Sequence, residues 1–94
     1  MNCSSCKRDL GGFSSRAAVI SVERLGDEYT ESYFYCDRCE CWTVELYIDR
    51  FLGEESSLVD GPMAKDKGDK LVELIRQCPD PTDKHCKCKI HQTW

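Results

Sequence analysis

Two Cys-x-x-Cys pairs, Cys3/Cys6 and Cys36/Cys39, stand 29 residues apart in this chain. A tight turn that carries such a pair aims both sulfurs at one point, where backbone N–H groups can bond to the thiolates. Zn²⁺ takes four thiolates tetrahedrally at about 2.3 Å, so two such turns close a single site. Any fold the chain adopts must therefore bring residues 3–6 beside residues 36–39. The need for such a site follows from size. Ninety-four residues form one small domain that hides only about 60–65% of the surface its unfolded chain exposes. Small domains of this kind recruit disulfides or a metal, and eight cysteines supply the means.

Compartment separates disulfide from metal. The segment Met1-Asn2-Cys3-Ser4-Ser5-Cys6-Lys7-Arg8 has no apolar run behind a basic start, and no stretch approaches the roughly 20 apolar residues of a membrane span. The reading is of a cytoplasmic chain with no membrane role. Its thiols stay reduced, and its cysteine clusters bind metal.

Between and beyond the pairs, the pattern predicts a small α+β fold. Arg16 to Arg24 is apolar and β-branched at its centre, which suits a strand. Leu25-Gly26-Asp27-Glu28 carries turn chemistry, and Thr30 to Tyr35 reads as a second strand. In the third, Trp42, Val44, Leu46 and Ile48 alternate with Thr43, Glu45, Tyr47 and Asp49, the period of a strand with one buried face. Residues 1–52 thus form a three-stranded antiparallel sheet and residues 53–68 a loop. A helix is placed at 69–78, its start falling between Pro62 and Asp69, with Leu71, Leu74, Ile75 and Cys78 along one face. Pro79 ends it, and residues 79–94 form a metal-binding tail. All of this is one domain, 1–94.

Cys3-x-x-Cys6, a hairpin, then Cys36-x-x-Cys39 leading into a strand resembles the zinc-ribbon group over about the first 50 residues. The resemblance implies a structural zinc site in a zinc-ribbon-like sheet. Zinc-ribbon turns often carry glycine just after the second cysteine, whereas Lys7 and Glu40 stand there. Rubredoxins share the paired layout with iron but build their turns on Cys-Pro-x-Cys-Gly, which is absent; iron stays open as the metal.

The tail offers a second set, Cys78, Cys86, Cys88 and His91. Cysteines two apart point to opposite sides of an extended strand, so a turn must bend Cys86-Lys87-Cys88 if both are to reach one ion. The residue types suit a second zinc, with His85 as the alternative fourth ligand. Cys41 is left over. It is an inert thiol at the start of its strand, the alternative fourth ligand of the tail site, or a partner that bridges or exchanges with the Cys36/Cys39 turn.

No catalytic constellation is legible. The sequence lacks a glycine-rich phosphate loop and a His-Glu-x-x-His motif, and two sites filled by protein ligands leave no open position for an activated water. The net charge of −4 does not favour a nucleic-acid partner. The expected function is a non-catalytic zinc-binding module, a protein-interaction or accessory and regulatory factor, with the acidic exposed face of the strand from Trp42 to Phe51 as its docking surface. The alternatives are a nucleic-acid-associated zinc ribbon and a thiol-based redox or metal-handling protein.

Overall fold

Leu25 and Gly26 both take positive φ, 53° and 88°. That is the backbone a two-residue hairpin needs if its twist is to match that of the flanking strands. They join β1 (Ala18–Arg24) to β2 (Asp27–Cys36), and the tight turn sets the register, with Arg24 opposite Asp27 and Ala18 opposite Tyr33. In a computed structural model that describes residues 1–94, β2 turns back into β3 (Cys41–Asp49) and β3 into β4 (Glu55–Ala64). The result is an antiparallel meander in the order β1-β2-β3-β4. Asp27 Oδ1 accepts the Phe51 N–H at 3.0 Å, so the two hairpin ends on this side of the sheet are tied together.

The sheet has four strands, not three, and the segment 53–68 is mostly strand and helix, not loop. The reason lies in how β4 is held. Glu55 to Pro62 is almost wholly exposed and carries no alternating apolar signal. It forms a strand because β3 supplies its backbone partners, from Asp49 opposite Glu55 to Cys41 opposite Ala64. The register slips between Trp42 and Val44, where Gly61-Pro62 lies, and an edge strand with an irregularity is where proline is tolerated. Gly61 is required there. At φ 132°, a Cβ would fall 2.9 Å from the Trp42 carbonyl oxygen and 2.7 Å from Ser4 Oγ.

β4 runs directly into α1 (Lys65–Arg76), so the helix starts four residues earlier than 69 and ends two before Cys78. Its buried face is Gly68, Val72 and Ile75, rotated slightly from the expected stripe: Ile75 and Cys78 are buried as expected, Leu71 is half-buried and Leu74 is 38% exposed. Trp42 explains the rotation. Its indole lies against the bare Gly68 backbone, where a Cβ would come within 2.1 Å of Cδ1, and its Nε1–H donates to Asp69 Oδ1 at 3.0 Å. The core beneath α1 is Ile20, Val22, Tyr33, Trp42, Val44, Val72 and Ile75. Tyr35 flanks Trp42 with ring centroids 4.9 Å apart.

At the end of the sheet near Cys36 and Cys41 both faces are covered. Thr43 points away from α1 yet is fully buried, because the N-terminal turn folds over it: Ser4 N–H donates to Thr43 Oγ1 at 2.9 Å. The residues after α1 cross to the other edge. There the Ser21 N–H of β1 donates to the Pro81 carbonyl at 2.8 Å, and the chain ends in a short helix α2 (Lys89–Thr93).

Candidate metal centres

The first cluster is built from two turns that meet at one end of the sheet. Residues 4–6 form the first, closed by Lys7 N–H donating to the Cys3 carbonyl at 3.0 Å and Cys3 N–H to the Arg8 carbonyl at 2.8 Å. The second spans 37–40 between β2 and β3, so Cys36 ends one strand and Cys39 sits in the turn. Lys7 and Glu40 take φ 66° and 50°. These are the two positions where a glycine is absent, and the backbone adopts the left-handed conformation there regardless. The thiols of Cys3, Cys6, Cys36 and Cys39 all lie within 4.8 Å of one another. Cys6 and Cys36 are 3.9 Å apart, close to the edge of about 3.8 Å that a tetrahedron with 2.3 Å zinc–sulfur bonds has. Cys3 and Cys36 are fully buried, Cys39 is half-buried and Cys6 is exposed. Arg8 pairs with Asp37 at 2.9 Å across the two turns, but both are exposed, so the pair adds little to stability.

The second cluster lies beside β1, at one edge of the sheet. Cys78 follows α1, its N–H donating to the Ile75 carbonyl at 3.0 Å. The segment 86–88 bends, so Cys86, Cys88 and Cys78 converge with His91 within the same 4.8 Å limit. Cys88 caps α2, its sulfur accepting the His91 N–H at 3.4 Å. The imidazole is held at both ends. Its Nε2 lies 2.9 Å from the Ser21 carbonyl oxygen, which can only accept, so Nε2 carries the proton. Nδ1 therefore turns a lone pair toward the sulfurs of Cys78 and Cys88, 3.2 and 3.4 Å away. A carbonyl partner on the far nitrogen is how a metal-ligating histidine is oriented.

Charge is unevenly shared within each cluster. The Cys6 backbone N–H, opposed by burial and helped by the Ser5 N–H, brings the Cys3 thiol down to about 6. The His91 N–H does the same for Cys88. Hydrogen bonding with Cys6 and then burial hold Cys39 up at about 12. Burial and then the Cys88 sulfur hold Cys78 up at about 12. A divalent cation reverses this balance by drawing protons off the remaining thiols, and four such donors in one place fit that role.

The two alternative tail ligands fall elsewhere. His85 is exposed with Nε2 3.7 Å from Glu23 Oε2. Cys41 is directly opposite Cys36 in the β2–β3 register and packs with Cys3 and Cys36, so it borders the first cluster rather than the tail. The Ser21 carbonyl and Gly68 had no sequence signal. Ser21 meets the imidazole through its backbone carbonyl, which any residue would supply, and an isolated glycine in a helix gives no indication of what it touches.

Two groups that could hold metal ions are thus present, and the first could form a zinc-ribbon-like site. No helix is long and apolar enough to cross a membrane. No family model, curated protein or solved structure matches the chain.

Proposed function

We propose that the chain is a non-catalytic zinc-binding module, a protein-interaction or accessory and regulatory factor that works in a reducing compartment such as the cytoplasm. The observation that carries the reading is that each cluster gathers four donors from the protein itself. Cys3, Cys6, Cys36 and Cys39 hold one ion; Cys78, Cys86, Cys88 and His91 hold the other. A tetrahedral ion so enclosed has no position left for water, the condition of a structural rather than a hydrolytic site. Three thiolates with one imidazole suit zinc, while four thiolates accept zinc or iron.

The surface favours a protein partner over a polyanion. Leu25, Phe51 and Leu52 are 103%, 80% and 89% exposed, grouped where the two hairpin ends meet. The net charge of −4 opposes non-specific binding to nucleic acid. Elemental analysis of the purified protein is expected to find two zinc ions per chain, with chelation unfolding it. A fold unchanged after complete metal removal, or salt-dependent binding to nucleic acid by the folded protein, would overturn the reading.

A further inference from the structure

The first cluster contains one more sulfur than a tetrahedral ion uses. Cys41 is only 8% exposed and lies directly across the ladder from Cys36. Opposed residues in an antiparallel pair share a face of the sheet, so the two thiols project to the same side. They form a single buried group with Cys3, against which Cys39 packs. The Cys41 thiol stands outside the four that lie within 4.8 Å of one another, but inside the buried group that borders them. Two of the four cluster cysteines, Cys3 and Cys36, are therefore its neighbours. Cys6 is the exposed one.

Four sulfurs around an ion define a tetrahedron, and Cys3, Cys36 and Cys39 form the face opposite Cys6. Cys41 is buried beside two members of that face, Cys3 and Cys36, whereas Cys6 is exposed. We propose that Cys41 is a reserve ligand of the first site, so that a thiophilic tetrahedral cation held by Cys3, Cys36 and Cys39 can take either Cys6 or Cys41 as its fourth donor. Passage through the shared face breaks the metal–sulfur bond to Cys6 and forms one to Cys41. Cys41 gives up its thiol proton and Cys6 takes one from water, so the charge of the site is unchanged. The exposed position is the one from which a competing thiol or chelator can approach, and the buried position keeps the ion when Cys6 is lost or modified. This rests on the reading that the first cluster binds a metal.

The full chain loaded with cadmium-113 tests it, because each cadmium resonance correlates with the β protons of the cysteines that ligate it. In the wild type, the first ion is expected to correlate with Cys3, Cys6, Cys36 and Cys39. No cadmium on those residues would overturn the metal reading and the proposal together. In Cys6→Ala the expected set is Cys3, Cys36, Cys39 and Cys41. A set of three without Cys41, or loss of the first cadmium while the second stays, overturns the proposal alone. Should Cys6→Ala not fold, alkylation of folded, zinc-loaded wild type reads the same point with Cys6 as the exposed target. Retention of both zinc ions with Cys6 modified and Cys41 protected is expected. Release of one zinc in step with Cys6 modification, or modification of Cys41 while zinc stays, overturns it.

Discussion

The two clusters offer similar donors to a metal but stand in different relations to the sheet. The first is continuous with it: Cys36 is the last residue of β2, and the turn that carries Cys39 delivers the chain into β3. The second lies outside it, joining the end of α1 to the tail and meeting β1 through the backbone of Ser21. An ion in the first therefore closes a long loop and holds the central hairpin, whereas an ion in the second fastens an appendage. The same chemistry would determine folding in one place and attachment in the other.

Breaking the first cluster gives the largest effect. Cys36→Ser is expected to abolish the cooperative fold, because structural zinc supplies an apparent folding free energy of about 10–16 kcal/mol in small domains. Far-ultraviolet circular dichroism and amide dispersion measure it, and a native spectrum from Cys36→Ser would erase the distinction drawn here. Cys86→Ser should act locally. One zinc is lost and the sheet stays folded, while the Ser21 amide, which donates to Pro81, exchanges faster with solvent. Global unfolding of Cys86→Ser would make the two clusters equivalent.

Smaller changes sharpen the contrast. Gly68→Ala places a methyl group against the buried Trp42 ring, and overpacking of this kind costs about 1–3 kcal/mol. It should lower the denaturation midpoint with both ions retained, separating the helix–sheet contact from the metal. Lys7→Gly and Glu40→Gly relieve left-handed backbone at the two turns of the first cluster. The strain of about 1–2 kcal/mol per residue is partly offset by the entropy of the added glycine. Each should stabilise the folded, metal-bound protein by up to about 1 kcal/mol in chemical denaturation, and a lower midpoint in both would show that those side chains contribute contacts of their own.

What could be read in advance follows from which interactions leave a mark on neighbouring positions. The pairs at Cys3/Cys6 and Cys36/Cys39 were legible because two sulfurs that converge from one turn need a short local spacing. The first hairpin was legible through Gly26. Asp27 marks the same turn by residue type, but its carboxylate accepts from the Phe51 N–H, a partner too distant in sequence to anticipate. β4 was missed because a strand held by backbone pairing alone, with Leu58 and Val59 exposed, has no burial pattern to display. The helical face was legible in part: Ile75 and Cys78 are buried and Leu71 packs against the core, while Leu74 is exposed and Val72 takes its place. Leu71 and Leu74 carry the apolar signal, yet the contact with Trp42 needs an absent side chain at Gly68. His91 and His85 look alike as residues, and only the Ser21 carbonyl makes one a fixed donor.

The engagement of Ser21 also limits how many neighbours the sheet can accept. β4 leaves one border of the sheet with unpaired backbone groups, while Pro81 and His91 occupy the middle of the other. Edge-to-edge addition at a single open border stops at a pair. With both borders open it has no natural end, because each newcomer presents another free edge. Were the tail to leave β1, the sheet would change from a unit that terminates to one that can propagate.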